Sequence, residues 1–114
     1  MTTDEIFREI VQISSRYTVF QCVECAEAIK TWLKENDING IHLQIIAVGR
    51  IKFIVSRRWR QGQDSIAQTG IHQGIETCGK VFDNLSPDGL DRRDWIADFD
   101  CASGEFEITE LESF

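Results

Sequence analysis

FQCVECAEAIKTWLKEN, residues 20–36, sets two cysteines three positions apart and then repeats apolar residues with a helical period: Cys25, Ala26, Ile29, Trp32 and Leu33 share one face. The spacing predicts a helix opening at Gln21 or Cys22, with stop signals in Asn36–Gly40. The two thiols then occupy different environments. Cys22 stands at the helix tip, where free N–H groups and the helix dipole favour a thiolate. Cys25 lies a turn deeper on the apolar stripe, where burial opposes one. Four readings are open: half of a metal site, a redox pair, a catalytic thiol with a neighbour, or packing. Cys22 is the better nucleophile, and a misplaced helix start would exchange it with Cys25.

Working outward, Thr2 and Glu5 are spaced as a capping box, and Ile6, Ile10 and Ile13, with Phe7 and Val11, give a first helix ending near Tyr17. YTVF (17–20) reads as an extended connector. After Gly40 the period changes to two, the mark of strands. IHLQIIAV (41–48) and IKFIVS (51–56) flank Gly49-Arg50 as a hairpin, and GIHQGIE (70–76) and KVFDNL (80–85) flank Cys78-Gly79 as a second. Between them, residues 57–70 are expected to form a loop able to wall a cleft. Residues 86–89 (SPDG) read as a turn, 90–99 as a short helix and FEITEL (106–111) as a last strand. Two helices followed by four or five antiparallel strands define an α+β domain spanning 1–114, its N-terminal helices laid on one face of the sheet.

With 114 residues, 42% of them hydrophobic, the chain suffices for one compact core. A net charge of −7 argues against nucleic acid and anionic membrane as partners. Arg57, Arg58 and Arg60 around Trp59 are the local exception, read as a solvated loop or an anion-binding patch. Four cysteines fall short of a disulfide scaffold, and no signal-peptide pattern or membrane-spanning apolar run occurs. A cytoplasmic location with reduced thiols is the expectation.

A catalytic cysteine needs a base, and the chain has two histidines. His42, alternating with Ile41 and Leu43, is expected on a solvent face. His72 lies in the second hairpin. With Thr77 and Lys80 flanking a two-residue turn, it stands opposite Leu85 and has Asp83 as its diagonal neighbour on the same face, able to orient the imidazole. A register slip hands that role to Asn84. Gln21, beside the thiol, could offer an amide N–H to an oxyanion together with the backbone N–H of Cys22.

QCVECA at a helix head, then TGIHQGIE, a Gly turn and KVFDNL, resembles the papain fold toxin 2 family of bacterial polymorphic toxin systems, from about Tyr17 to Trp95. The resemblance implies a papain-like cysteine-peptidase core with Cys22 as nucleophile, His72 as base and Asp83 as orienting acid. It also implies proteolysis, deamidation or a related acyl transfer on a protein substrate. No cofactor is required, and an inhibitor (immunity) protein is a further partner to look for. Three rival classes stay open. Zinc would draw on Cys22, Cys25, Cys78 and Cys101, or on His72, but lacks a second closely spaced pair. A thioredoxin-like dithiol lacks a second βαβ unit and has Pro87 as its sole proline. The third is a non-catalytic binding module of the same fold.

Overall fold

A computed structural model describes residues 1–114. Helix α1 (Thr3–Ser14) opens on the expected box: the Glu5 N–H donates to the Thr2 hydroxyl at 3.2 Å, and the Thr2 N–H to the Glu5 carboxylate at 3.3 Å. The helix stops short of Tyr17, and the connector to α2 (Cys22–Glu35) turns instead of extending. The Gln21 side chain folds back there to accept the Thr18 N–H at 2.8 Å.

Two antiparallel sheets follow. One contains β1 (Ile41–Ala47), β4 (Ile71–Thr77), β5 (Lys80–Asp83), β6 (Ser86–Leu90) and β8 (Phe106–Ser113), in the order β6-β5-β4-β1-β8. The other is β3-β2-β7, from β2 (Ile54–Ser56), β3 (Ser65–Ala67) and β7 (Phe99–Asp100). Helices α1 and α2 cover one face of the larger sheet, packing Ile6, Ile10, Ile13, Ile29 and Leu33 on Ile75 and Phe82. On the opposite face Leu43, Ile45 and Val81 meet Ile54 and Ile66 of the smaller sheet, with Phe99 and with Trp95 of α3 (Arg92–Ala97). Burying one such aliphatic side chain stabilises by about 1.5–3 kcal/mol. The two layers together supply the core.

Three expectations are corrected. Residues 41–56 do not form a hairpin: β1, buried on both faces, sits between β4 and β8, and β2 joins the other sheet. The long β8 runs along nearly all of β1, more backbone pairing than a short β2 could offer. Residues 57–70 are not a bare loop, since they hold a 3₁₀ turn at Arg60–Gly62 and strand β3. The arginines stay exposed, as a solvated segment would have them, and pair with protein groups. Arg57 donates to the Phe99 carbonyl at 3.2 Å, Arg58 pairs with Asp98 at 3.3 Å and Arg60 with Asp64 at 3.0 Å. Residues 86–89 are strand β6, and the turn lies upstream at Asn84-Leu85. Asp83 sets it, its Oδ1 accepting the Leu85 N–H at 2.9 Å, and Pro87 is tolerated because β6 is an edge strand.

The second hairpin has the expected register, Thr77 opposite Lys80, Glu76 opposite Val81 and Ile75 opposite Phe82. Its turn residues Cys78 and Gly79 have φ of 52° and 81°, the paired positive values of a type I′ turn. Pairing stops at Ile75, so β4 from Ile71 to Gly74 has a free edge toward β5. Gly74 also matters for what lies above it, since an added Cβ would come within 2.9 Å of Trp95 Cζ2 and 3.0 Å of Val81 Cγ1. Gly74→Ala is expected to destabilise the domain by about 1–3 kcal/mol through overpacking, read as a lower urea midpoint at unchanged slope.

Candidate active site

Helix α2 begins at Cys22, with the Cys25 N–H closing onto the Gln21 carbonyl at 3.0 Å. The N–H groups of its first turn have no helical carbonyl to meet, which favours negative charge at that end. Cys22, 6% exposed, lies against the free edge of β4, where the Gln73 backbone favours the thiolate. Burial works against the thiolate, but interaction with His72 outweighs it and holds the thiol below its ordinary pKa. Cys25, one turn on, is fully buried among α1 and β4 side chains, and burial pushes its thiol up to about 12. The alternate nucleophile is thus placed in the core.

His72 and Asp83 are both 0% exposed. His72 Nε2 and Asp83 Oδ2 lie 2.7 Å apart, the Trp95 indole N–H donates to the same Oδ2 at 2.8 Å, and the Leu85 N–H takes Oδ1. Burial penalises a carboxylate, yet these donors keep Asp83 below the usual carboxylate range. Burial likewise penalises imidazolium, but the carboxylate and the thiol raise His72 to about 9. The rings of Phe99 and Trp95 flank the imidazole at centroid distances of 4.9 and 6.0 Å and exclude water from it. The other nitrogen, Nδ1, has no partner in aligned hydrogen-bond geometry. His72 and Cys22 lie near enough to shift one another's protonation.

Two other candidates lie apart from this line. Asn84 donates to the Thr18 carbonyl at 2.8 Å, tying the connector before α2 to the β5–β6 turn, and makes no hydrogen bond to His72. Gln21 holds its amide oxygen on Thr18 and is absent from the cleft wall.

A cleft of about 440 Å³ opens on Cys22, bounded by Phe20, Val23, Gln44, Ile71, Gln73 and the stretch 66–69. Part of the 57–70 segment therefore does wall a cleft. A larger concavity of about 710 Å³ lies around the β4–β5 turn and the C-terminus, away from either histidine. His42 is buried, not solvent-facing: its ring bridges Lys30 on α2 and Gln73 on β4, at 3.0 and 2.8 Å. No three His, Cys, Asp or Glu side chains gather as metal ligands, and no strand precedes α2 as a thioredoxin-like dithiol would need. Sequence reasoning missed Trp95, Gln44 and Gln73. The carboxamides lie opposite one another on β1 and β4, a pairing visible only once those strands are known neighbours.

A thiol on a helix tip, facing an imidazole backed by a carboxylate on an antiparallel sheet, describes a domain of papain-like fold. Residues 5–100 match papain fold toxin 2, and the chain belongs to that family. No curated protein and no solved structure matches it. No helix is long and apolar enough to cross a membrane.

A histidine whose pKa is raised on folding binds its proton more tightly in the native state. Its contribution to stability is full below the unfolded value of about 6.5 and lost as pH climbs toward 9. The depressed Cys22 thiol acts with the opposite sign below its own unfolded value and flattens the profile. Cys22→Ser removes that compensation. Because the thiol also helps raise His72, the variant keeps only the Asp83 part of that shift, and its urea unfolding is expected to show stability falling from pH 6.5 over a window that closes below 9, by at most about 1.4 kcal/mol per pH unit and more steeply there than wild type.

Proposed function

We propose that the protein is a papain-like cysteine hydrolase, a protease or protein deamidase of toxin type. Cys22 thiolate attacks the carbonyl carbon of a peptide or side-chain amide. The backbone N–H groups at the start of α2 stabilise the oxyanion, and His72 gives its proton to the departing amine or ammonia. His72 then takes a proton from water, the hydroxide attacks the acyl-enzyme, and the carboxylic acid leaves as the thiolate re-forms. Asp83 holds the imidazole through Nε2, which leaves Nδ1 for the thiol. The observation that carries this reading is the His72 Nε2–Asp83 Oδ2 pair at 2.7 Å beside a thiol that opens α2 and lines a cleft, with the thiol's pKa lowered and the imidazole's raised. A protein substrate, and an inhibitor protein as partner, accord with membership of a toxin family. The complete burial of His72 and Asp83 favours a second reading, a binding module that keeps these groups for packing.

Alkylation of Cys22 across a pH series separates the two. A hydrolase gives an inflection below the ordinary thiol value of about 8.5, and His72→Ala moves it up and slows labelling at pH 6 by about tenfold or more. Slow labelling indifferent to His72→Ala leaves the binding module. Incubation with a cell extract, followed by mass spectrometry, is then expected to show new protein N-termini or carboxamide-to-carboxylate conversions that Cys22→Ala abolishes.

A further inference from the structure

Next to the thiol runs a line of polar side chains that the reaction above does not use. Lys30 on α2 has three N–H donors and three acceptors: Glu27 Oε1 at 3.2 Å, Glu112 Oε1 at 3.2 Å and His42 Nδ1 at 3.0 Å. An ammonium can only donate, so Nδ1 of His42 carries no proton and Nε2 does. That N–H donates to Gln73 Oε1 at 2.8 Å. With its oxygen so engaged, Gln73 turns its amide nitrogen the other way and donates to Gln44 Oε1 at 3.0 Å. Gln44 is left with its amide nitrogen free of any partner in the protein, in the wall of the cleft that opens on Cys22. Each link's direction follows from the one before, and the start of the line is fixed by a charge.

We propose that Gln44 is the substrate-binding carboxamide of this cleft, presenting its amide N–H to the carbonyl oxygen of a substrate amide, with Gln73, His42 and Lys30 as positioning residues that set this polarity. The proposal rests on the hydrolase reading and names what its cleft recognises. His42 and Gln73 are buried, so a reversed link would leave two donors or two acceptors facing each other without water to relieve them. Gln73 also ties this line to the chemistry, since it lines the cleft together with Cys22 and follows His72 directly. A plain surface strand would need no such fixed direction. A cleft that captures a carbonyl oxygen does.

The test compares two thiol reagents on the intact chain: iodoacetamide, which carries a carboxamide, and methyl methanethiosulfonate, which has no carbonyl. Modification is read at the Cys22 peptide, which keeps the exposed Cys78 out of the rate. Gln44→Leu and Gln44→Glu are expected to lower the iodoacetamide-to-thiosulfonate rate ratio about 3- to 10-fold, the worth of one hydrogen bond. Lys30→Met is expected to lower the same ratio from a distance. Nitrogen-15 NMR of the wild-type imidazole is expected to show His42 protonated at Nε2 and not at Nδ1, a readout independent of any variant's folding. An unchanged ratio in both Gln44 variants, or the opposite tautomer, overturns the proposal. If instead His72→Ala leaves Cys22 reactivity unaltered while the ratio still falls in the Gln44 variants, the hydrolase reading fails and the carboxamide site stands.

Discussion

The hydrogen bond between His72 and Asp83 is the constraint around which the domain is arranged. Both side chains are sealed from water, and a buried carboxylate or imidazolium alone would cost several kcal/mol. Together, with every strong acceptor direction of Asp83 met, they are tolerable. Meeting them draws in distant parts of the chain: the imidazole from β4, the indole N–H from α3, and the backbone N–H of Leu85 from the β5–β6 turn. Asp83 thus serves as the Asx residue that makes the turn and as the anion that holds the histidine. Gly74 enters the same account, because Trp95 reaches Asp83 only by lying close over a strand position that has no Cβ.

The second constraint is the early end of the β4–β5 ladder. His72 points to the face of Trp95 and Phe99, whereas α2 packs on the other face with Ile75 and Phe82. Had pairing continued past Ile75, a strand would separate the thiol from the imidazole. Because the chain turns at Asn84-Leu85, the edge of β4 is open at His72–Gln73, and the tip of α2 fills it. Asn84 fastens that tip by holding the Thr18 carbonyl. The residue that sequence reasoning offered as a substitute for Asp83 instead locates the helix that carries the thiol.

What could be read from the sequence was local. The capping box at Thr2 and Glu5, the helix from Cys22 and the hairpin register around Cys78-Gly79 all follow from residues within a few positions of one another, and that register is what sets Asp83 beside His72. Long-range pairing was not legible. A period-two pattern in IHLQIIAV marks a strand without naming its partner, so the nearest one, IKFIVS, was assigned, although β8 from the far end of the chain takes that place. The burial of His42 and the pairing of Gln44 with Gln73 depend on the same fact. The same holds for Glu112 of β8, which joins Glu27 in pairing with Lys30 of α2. Trp95 could be assigned to packing but not to Asp83, because its contact spans α3 and β5.

Burial of the whole imidazole bears on how the proposed chemistry would proceed. A base that is 0% exposed can still serve a nucleophile in front of it, provided the proton moves along a line the substrate need not enter. With Nε2 fixed on Asp83, Nδ1 is the ring nitrogen left for Cys22 in the proposed reaction, and Cys22, not His72, lines the cleft. In that reaction substrate would approach past Phe20 and Val23, both exposed at the helix tip, in a cleft that Gln44 and Gln73 also line. Such a site selects by the reach of the amide group. An extended peptide strand or a protruding side-chain carboxamide can place its carbonyl carbon on the sulfur, whereas an amide within folded secondary structure cannot. Water for the second step would follow the same route, so the proposed acyl-enzyme would be resolved only after the first product had vacated the cleft. In that reaction the rings of Trp95 and Phe99 over His72 would shield its proton from solvent.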